Sequence, residues 1–269
     1  MLAPIELRQH GHDGPEVLVL HGGPGAPGSA HGLARAIAHE FKVIEPLQRR
    51  AGTVPLTMAQ HVDDLRVIAP EQALIVGWSF GAMLALSYAA AHPARSRAVA
   101  LVGVGTYDEA ARTRYREAME ALATPEIRTR QTSLVHALSR AVDAGGRDRI
   151  FGALGHLAGI VQAVAPIDDD DGVGLPCDEA GYRETWRDTL RLQHEGLEPA
   201  AFSAIRAPVL MLHGEDDPHP AHATFQTLRV VIPTLELLTW PRCGHAPWNE
   251  RHAREAFVQK LCAFLRAHA

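Results

Sequence analysis

The feature that most limits what this chain can fold into is the stretch Gly77-Trp78-Ser79-Phe80-Gly81. A short apolar run, QALIV, precedes it. A run with helical spacing, AMLALSYAAAHP, follows and ends at Pro93. A serine between glycines, leaving a strand and opening a helix, predicts a sharp turn. There a Cβ at Gly77 or Gly81 would clash where strand and helix cross, and the serine hydroxyl projects above the strand ends. The competing reading is an ordinary turn serine, and the rest of the chain decides between them.

Strand and helix signals alternate around this stretch. Apolar strands are expected at residues 5–10, 16–20, 42–47, 72–77 and 97–104, with helices at 29–41, 57–69 and 82–93. Within 57–69, Met58, Val62 and Leu65 recur at helical spacing. Strands that are apolar on both faces imply a parallel sheet covered by helices on both sides. The rhythm changes near residue 105. Four helical patterns follow, at 108–123, 126–143, 147–165 and 179–194. The run DDDDGVGLP between the last two reads as a solvated loop, because its carboxylates (Asp168 to Asp171) are not spaced as a calcium loop would space them. Strands return at 208–213 and 234–239, with helices at 221–231 and 251–267. The expected architecture is an α/β core of residues 1–105 and 200–269, interrupted by a helical cap of residues 106–199.

Composition narrows the function. The net charge of −5 is spread along the chain with no basic stripe, which argues against nucleic acid as a partner. The 16 histidines fall into no ligand spacing, so no metal and no cofactor are expected. The three cysteines form no C-x-x-C pair, no run of 18 apolar residues occurs, and MLAPIELRQHGHDG does not read as a secretory signal. A cytoplasmic protein is expected, with its oligomeric state open.

A serine needs a base within hydrogen-bond reach and a group that orients the base. Asp217 follows strand 208–213 in HGEDDPHP, and His245 follows strand 234–239 in WPRCGHAPW. Both therefore leave parallel strands at the same sheet edge as Ser79, where sites in such sheets form. Asp216 is the adjacent alternative for the acid. The segment HGGPG at 21–25 follows strand 16–20. Its Gly23 amide and the Phe80 amide are the expected oxyanion donors, whereas Pro24 has no N–H. Trp78 and Trp248 flank the nucleophile and the base, and either line a substrate pocket or pack. His21, His213 and His219 read as structural or rim residues, and Cys243 as a packing residue. The uncharged helix near 150–164 either forms an apolar acyl pocket or the cap's own core.

HGGPG, GWSFG, GEDD and CGH together with a helical insert resemble the α/β-hydrolase fold superfamily over essentially the whole chain. That resemblance implies Ser79 as nucleophile, His245 as base and Asp217 as acid, with Gly23 and Phe80 as oxyanion donors. In some relatives of this fold the acid follows the strand after the nucleophile, which here offers Asp108. HGGPG is similar to the proline iminopeptidase branch. The chain departs from that branch in having Phe80 rather than tryptophan after the serine, in PLQRRAG, which keeps Gln48 and Arg49 alone of a DQRG-like motif, and in lacking a tryptophan–glutamate motif in the cap. The elbow looks more like that of small carboxylesterases. The expected function is hydrolysis of a small carboxylic ester or amide. The other readings are aminopeptidase, thioesterase, lactonase, C–C hydrolase, or a ligand-binding module with little turnover.

Overall fold

The computed structural model describes residues 5–167 and 175–269, so the tetraaspartate lies outside the described residues. The strands are β1 (Leu7–His10), β2 (Glu16–Leu20), β3 (Lys42–Pro46), β4 (Ala73–Trp78), β5 (Ser96–Val102), β6 (Val209–Gly214) and β7 (Glu236–Trp240). The helices are α1 (His31–Ile37), α2 (Met58–Ile68), α3 (Phe80–Ala91), α4 (Glu109–Leu122), α5 (Pro125–Arg140), α6 (Ala144–Val161), α7 (Glu179–His194), α8 (Ala221–Val231) and α9 (Arg254–Ala267). The strands form one sheet in the order β1-β3-β2-β4-β5-β6-β7, in which β1 alone runs antiparallel.

Alternate residues of each central strand feed two cores, as a period of two requires. Leu18, Leu20, Ile75, Val99, Leu101 and Met211 pack on one face with α2, α3 and α8. Val17, Val19, Leu74, Val76, Ala100 and Leu212 pack on the other with α1 and α9. Helix α3 is buried from Phe80 through Ala89, which is why its sequence is apolar on every side. No helix among the described residues is long and apolar enough to cross a membrane.

The strand order positions the site. From β2 the chain moves to β3 on one side, then crosses to β4 on the other. The carboxyl ends of β2 and β4, paired side by side as Leu20 with Gly77, therefore flank a topological switch point. The HGGPG segment leaves one of these ends and Ser79 the other.

Helices α4 to α7 lie between β5 and β6 in the chain. Asp108, Thr124, Asp143 and Asp178 each accept a hydrogen bond from a backbone N–H in the first turn of the helix that follows. The sequence places the start of α6 at 147, but the Asp143 cap begins it at Ala144. Helix α7 docks on the start of α2. Asp188 accepts from the Met58 N–H, Glu184 from the Leu56 N–H, and the Thr185 hydroxyl bonds His61 at 3.0 Å.

Candidate active site

Ser79 occupies the junction of β4 and α3 with φ 54° and ψ −119°. A positive φ on a serine is strained backbone, and the surroundings enforce it. The Ser79 N–H donates to the Val102 carbonyl at 2.9 Å, and the Ser79 carbonyl accepts from Ala82 at 3.0 Å. A Cβ on Gly77 would run into the Gly81 carbonyl, and one on Gly81 into the Leu20 carbonyl. Both glycines are thus required by the crossing. A Cβ on Gly22 would stand 3.2 Å from the Ser79 Cβ, so the HGGPG segment lies directly against the serine.

That segment is pinned from behind. The buried His21 accepts from the Gln48 N–H on Nε2 at 3.0 Å, which leaves the proton on Nδ1 to donate to the Gly22 carbonyl at 2.9 Å. Burial pushes the His21 pKa down to about 4, so the ring is neutral. Gln48 also donates to the His21 carbonyl, and Arg49 makes paired bonds to Asp64. The two motif residues retained after β3 therefore brace the loop and α2.

His245 stands beside the same turn. The Trp78 indole N–H donates to the His245 carbonyl at 3.0 Å, and a Cβ on Gly103 would stand 2.9 Å from the His245 Nδ1. Asp217 Oδ2 lies 2.7 Å from that Nδ1. An ionised carboxylate only accepts, so Nδ1 carries a proton in this bond. Asp216 instead accepts from the Cys243 N–H, and Asp108 caps α4 while accepting from Thr227. Asp217 is the one of the three carboxylates that bonds the His245 ring among the described residues.

Asp217 is surrounded by histidines. Besides His245, Oδ2 lies 3.0 Å from the His213 Nε2, and Oδ1 accepts from both the Nδ1 and the backbone N–H of His219 at 2.9 Å. Burial alone would raise the Asp217 pKa. The attraction of His245, His219 and His213 outweighs it and holds the carboxyl well below the usual range. Burial is also the main force lowering the His219 pKa. The His219 ring is stacked between Tyr115 of α4 at 4.2 Å and His245 at 4.5 Å. Neither stacking contact was visible in the sequence.

Trp78 packs against the His245 ring at 5.5 Å. Trp78 meets Trp248 edge-on at 5.0 Å, and Trp248 is buried against Phe257. Cys243 is buried, and that burial pushes its thiol up to about 12. It is therefore not a thiolate at neutral pH.

The sequence model of the alpha/beta hydrolase family matches residues 17–260. The chain belongs to that family. The pimeloyl-(acyl-carrier protein) methyl ester esterase of Aromatoleum aromaticum is similar to this α/β hydrolase, with 24% identity over 251 residues covering 87% of this chain and 92% of the relative. The enzyme of the same name from Nitrosospira multiformis is 24% identical over 94% of this chain and 95% of its own. A thermophilic esterase structure from Thermogutta terrifontis matches with a TM-score of 0.63 at 19% identity, covering 98% of this chain and 94% of that one. The structural match shows the shared fold.

One residue of this α/β hydrolase that the sequence did not single out holds the loop of His245. Glu250 is 1% exposed. Its carboxylate accepts from the backbone N–H of Gly244 at 3.2 Å, Val164 at 2.9 Å and Ala165 at 2.7 Å. The His245 N–H donates to the Gln162 carbonyl nearby at 3.0 Å. His245 is thus tied to the end of α6. The Glu250→Ala variant strands buried donors and is expected to lose about 2–4 kcal/mol of stability, read from urea unfolding.

Proposed function

We propose that this α/β hydrolase is a serine carboxylesterase that cleaves a small ester through an acyl-enzyme. The observation that carries the proposal is the bond between Asp217 and the His245 Nδ1, made beside the strained turn that presents Ser79. In this mechanism the Ser79 Oγ attacks the ester carbonyl and its proton passes to the His245 Nε2. Asp217 fixes the tautomer and stabilises the imidazolium. The oxyanion is held by the N–H groups of Gly23 and Phe80. Phe80 opens α3, where the first N–H groups lack intrahelical acceptors and the helix end carries partial positive charge. His245 then protonates the departing alcohol, and water takes the reverse route to release the acid.

Helices α4 to α7 act as a cap that limits water and selects the substrate. The full-length relatives named as methyl ester esterases support an ester with a small alcohol part. The test is a panel of p-nitrophenyl acetate, p-nitrophenyl butyrate, methyl butyrate and prolyl-naphthylamide, run on the wild type and Ser79→Ala. Ester turnover that Ser79→Ala abolishes is expected. Selective cleavage of prolyl-naphthylamide would replace the esterase by a peptidase, and retention of ligand without turnover would replace it by a binding module.

His219 belongs to this mechanism as a positioning residue. It bonds the acid and supports the face of the base. His219→Phe keeps a ring for the stack but removes the N–H to Asp217. Its kcat is expected to fall about tenfold with KM little changed, against about 10⁴-fold for Asp217→Asn, which loses the correct tautomer.

A further inference from the structure

Three side chains far apart in sequence meet on the α1 side of the sheet edge. His10 ends β1, Glu45 lies in β3, and His31 opens α1. The register pairs His10 with Val43 and Arg8 with Glu45, which turns His10 and Glu45 to the same face as neighbours on a diagonal. One ring nitrogen from each histidine and one oxygen of Glu45 lie within 4.8 Å of one another. The His10 Nε2 is 3.0 Å from the Glu45 Oε2, and the two imidazoles meet edge-on with centroids 5.2 Å apart.

The hydrogen bonding of this cluster is incomplete. The Glu45 side chain is fully buried, yet its Oε1 has no partner. Both ring nitrogens of His31 are enclosed and also lack partners. Buried polar atoms are rarely left this way, because each costs the desolvation of an unmade bond. Here a carboxylate with an orphaned oxygen and an orphaned imidazole meet in one cluster.

We propose that His10, His31 and Glu45 form a binding site for a divalent transition metal of the zinc, cobalt or nickel class. Two imidazoles and one carboxylate are a ligand set that zinc accepts, with solvent as the fourth ligand. Ligand atoms about 2.0–2.1 Å from a tetrahedral zinc stand roughly 3.4 Å apart, so modest side-chain rotations close the site. Metal entry displaces the proton shared between the His10 Nε2 and Glu45, which leaves to solvent or moves to the His10 Nδ1. Two imidazole nitrogens and a single carboxylate favour ions that accept nitrogen over calcium and magnesium, which bind through oxygen ligands. The bound ion ties β1, β3 and α1 together. Because residues 21–30 run from β2 to His31, it also anchors the far end of the HGGPG segment. The site involves neither Ser79 nor its partners.

The experiment titrates untagged, chelator-treated full-length protein with Co(II), read by visible absorption, and with Zn(II), read by calorimetry. One equivalent is expected to bind, with the absorption bands of tetrahedral cobalt. His31→Gln and His10→Gln, both checked for folding by circular dichroism, are expected to weaken binding at least about tenfold, while the exposed His12→Gln does not. Ser79→Ala is expected to bind metal as the wild type does, so this result stands apart from the esterase reading. Absence of one-to-one binding in the wild type, or equal binding by His31→Gln, would overturn the proposal.

Discussion

Replacing Ser79 by alanine is expected to lower kcat/KM for p-nitrophenyl butyrate about 10⁴-fold or more, with the fold intact. The loss is large because the variant lacks the hydroxyl that the proposed mechanism uses as nucleophile. The fold should persist because the Ser79 backbone carries the contacts, from its N–H to Val102 and from its carbonyl to Ala82. Glycine at the same position goes further. It removes the hydroxyl and also relieves the backbone held at φ 54°. Ser79→Gly is therefore expected to be as inactive as Ser79→Ala, yet more stable than the wild type by about 1 kcal/mol in urea unfolding. A stabilised, inactive variant would mark the strain as a cost the enzyme bears for function.

Acid is expected to destabilise the protein well before its carboxylates are neutralised. Burial lowers His21 and His61 from 6.5 to about 4. Between those values the unfolded chain takes up protons that the folded chain refuses, so stability falls as pH falls. At about 1.4 kcal/mol per pH unit for each ring, going from pH 6.5 to about pH 5 removes roughly 2 kcal/mol per histidine. Glu198 opposes this. Burial raises its carboxyl from 4.5 to about 7, while the Ser87 hydroxyl bonds it at 2.7 Å. It is protonated when folded and ionised when unfolded in the same window, so its contribution weakens as pH rises. The expected balance is a net loss of about 2 kcal/mol on acidification, read from urea midpoints at about pH 7 and about pH 5. Glu198→Gln removes the opposing group, so its loss should be steeper than that of the wild type. A flat or inverted profile in both proteins would contradict the assignment of neutral, buried His21 and His61.

The sheet was legible because its signal is local. Each central strand is a short aliphatic run bounded by turn residues, and GWSFG marks one strand–helix junction by itself. Glycines 77 and 81 meet the steric demand read from their spacing. The helical block after β5 was legible as four periods, but not where it would touch the site. Tyr115 reaches His219, and Gln162 reaches the His245 backbone, only through the packing of α4 and α6. His219 gave no signal beyond lying two residues after Asp217, where Pro218 and the turn bring its N–H and ring back to one carboxylate oxygen. Glu250 looked like any acidic residue, although its bonds reach back 85 and 86 positions. The cluster of His10, His31 and Glu45 shows the same limit, since spacing rules join residues on one element and these lie on three.

The central claim is that Ser79 is a nucleophile activated by His245 and Asp217. It is tested most directly by treating the protein with a fluorophosphonate and mapping the adduct by mass spectrometry. One adduct on the peptide that contains Ser79 is expected, formed far more slowly in His245→Ala and absent in Ser79→Ala. Ester turnover by a protein whose Ser79 stays unlabelled, or an adduct that forms elsewhere at the same rate in Ser79→Ala, would contradict it.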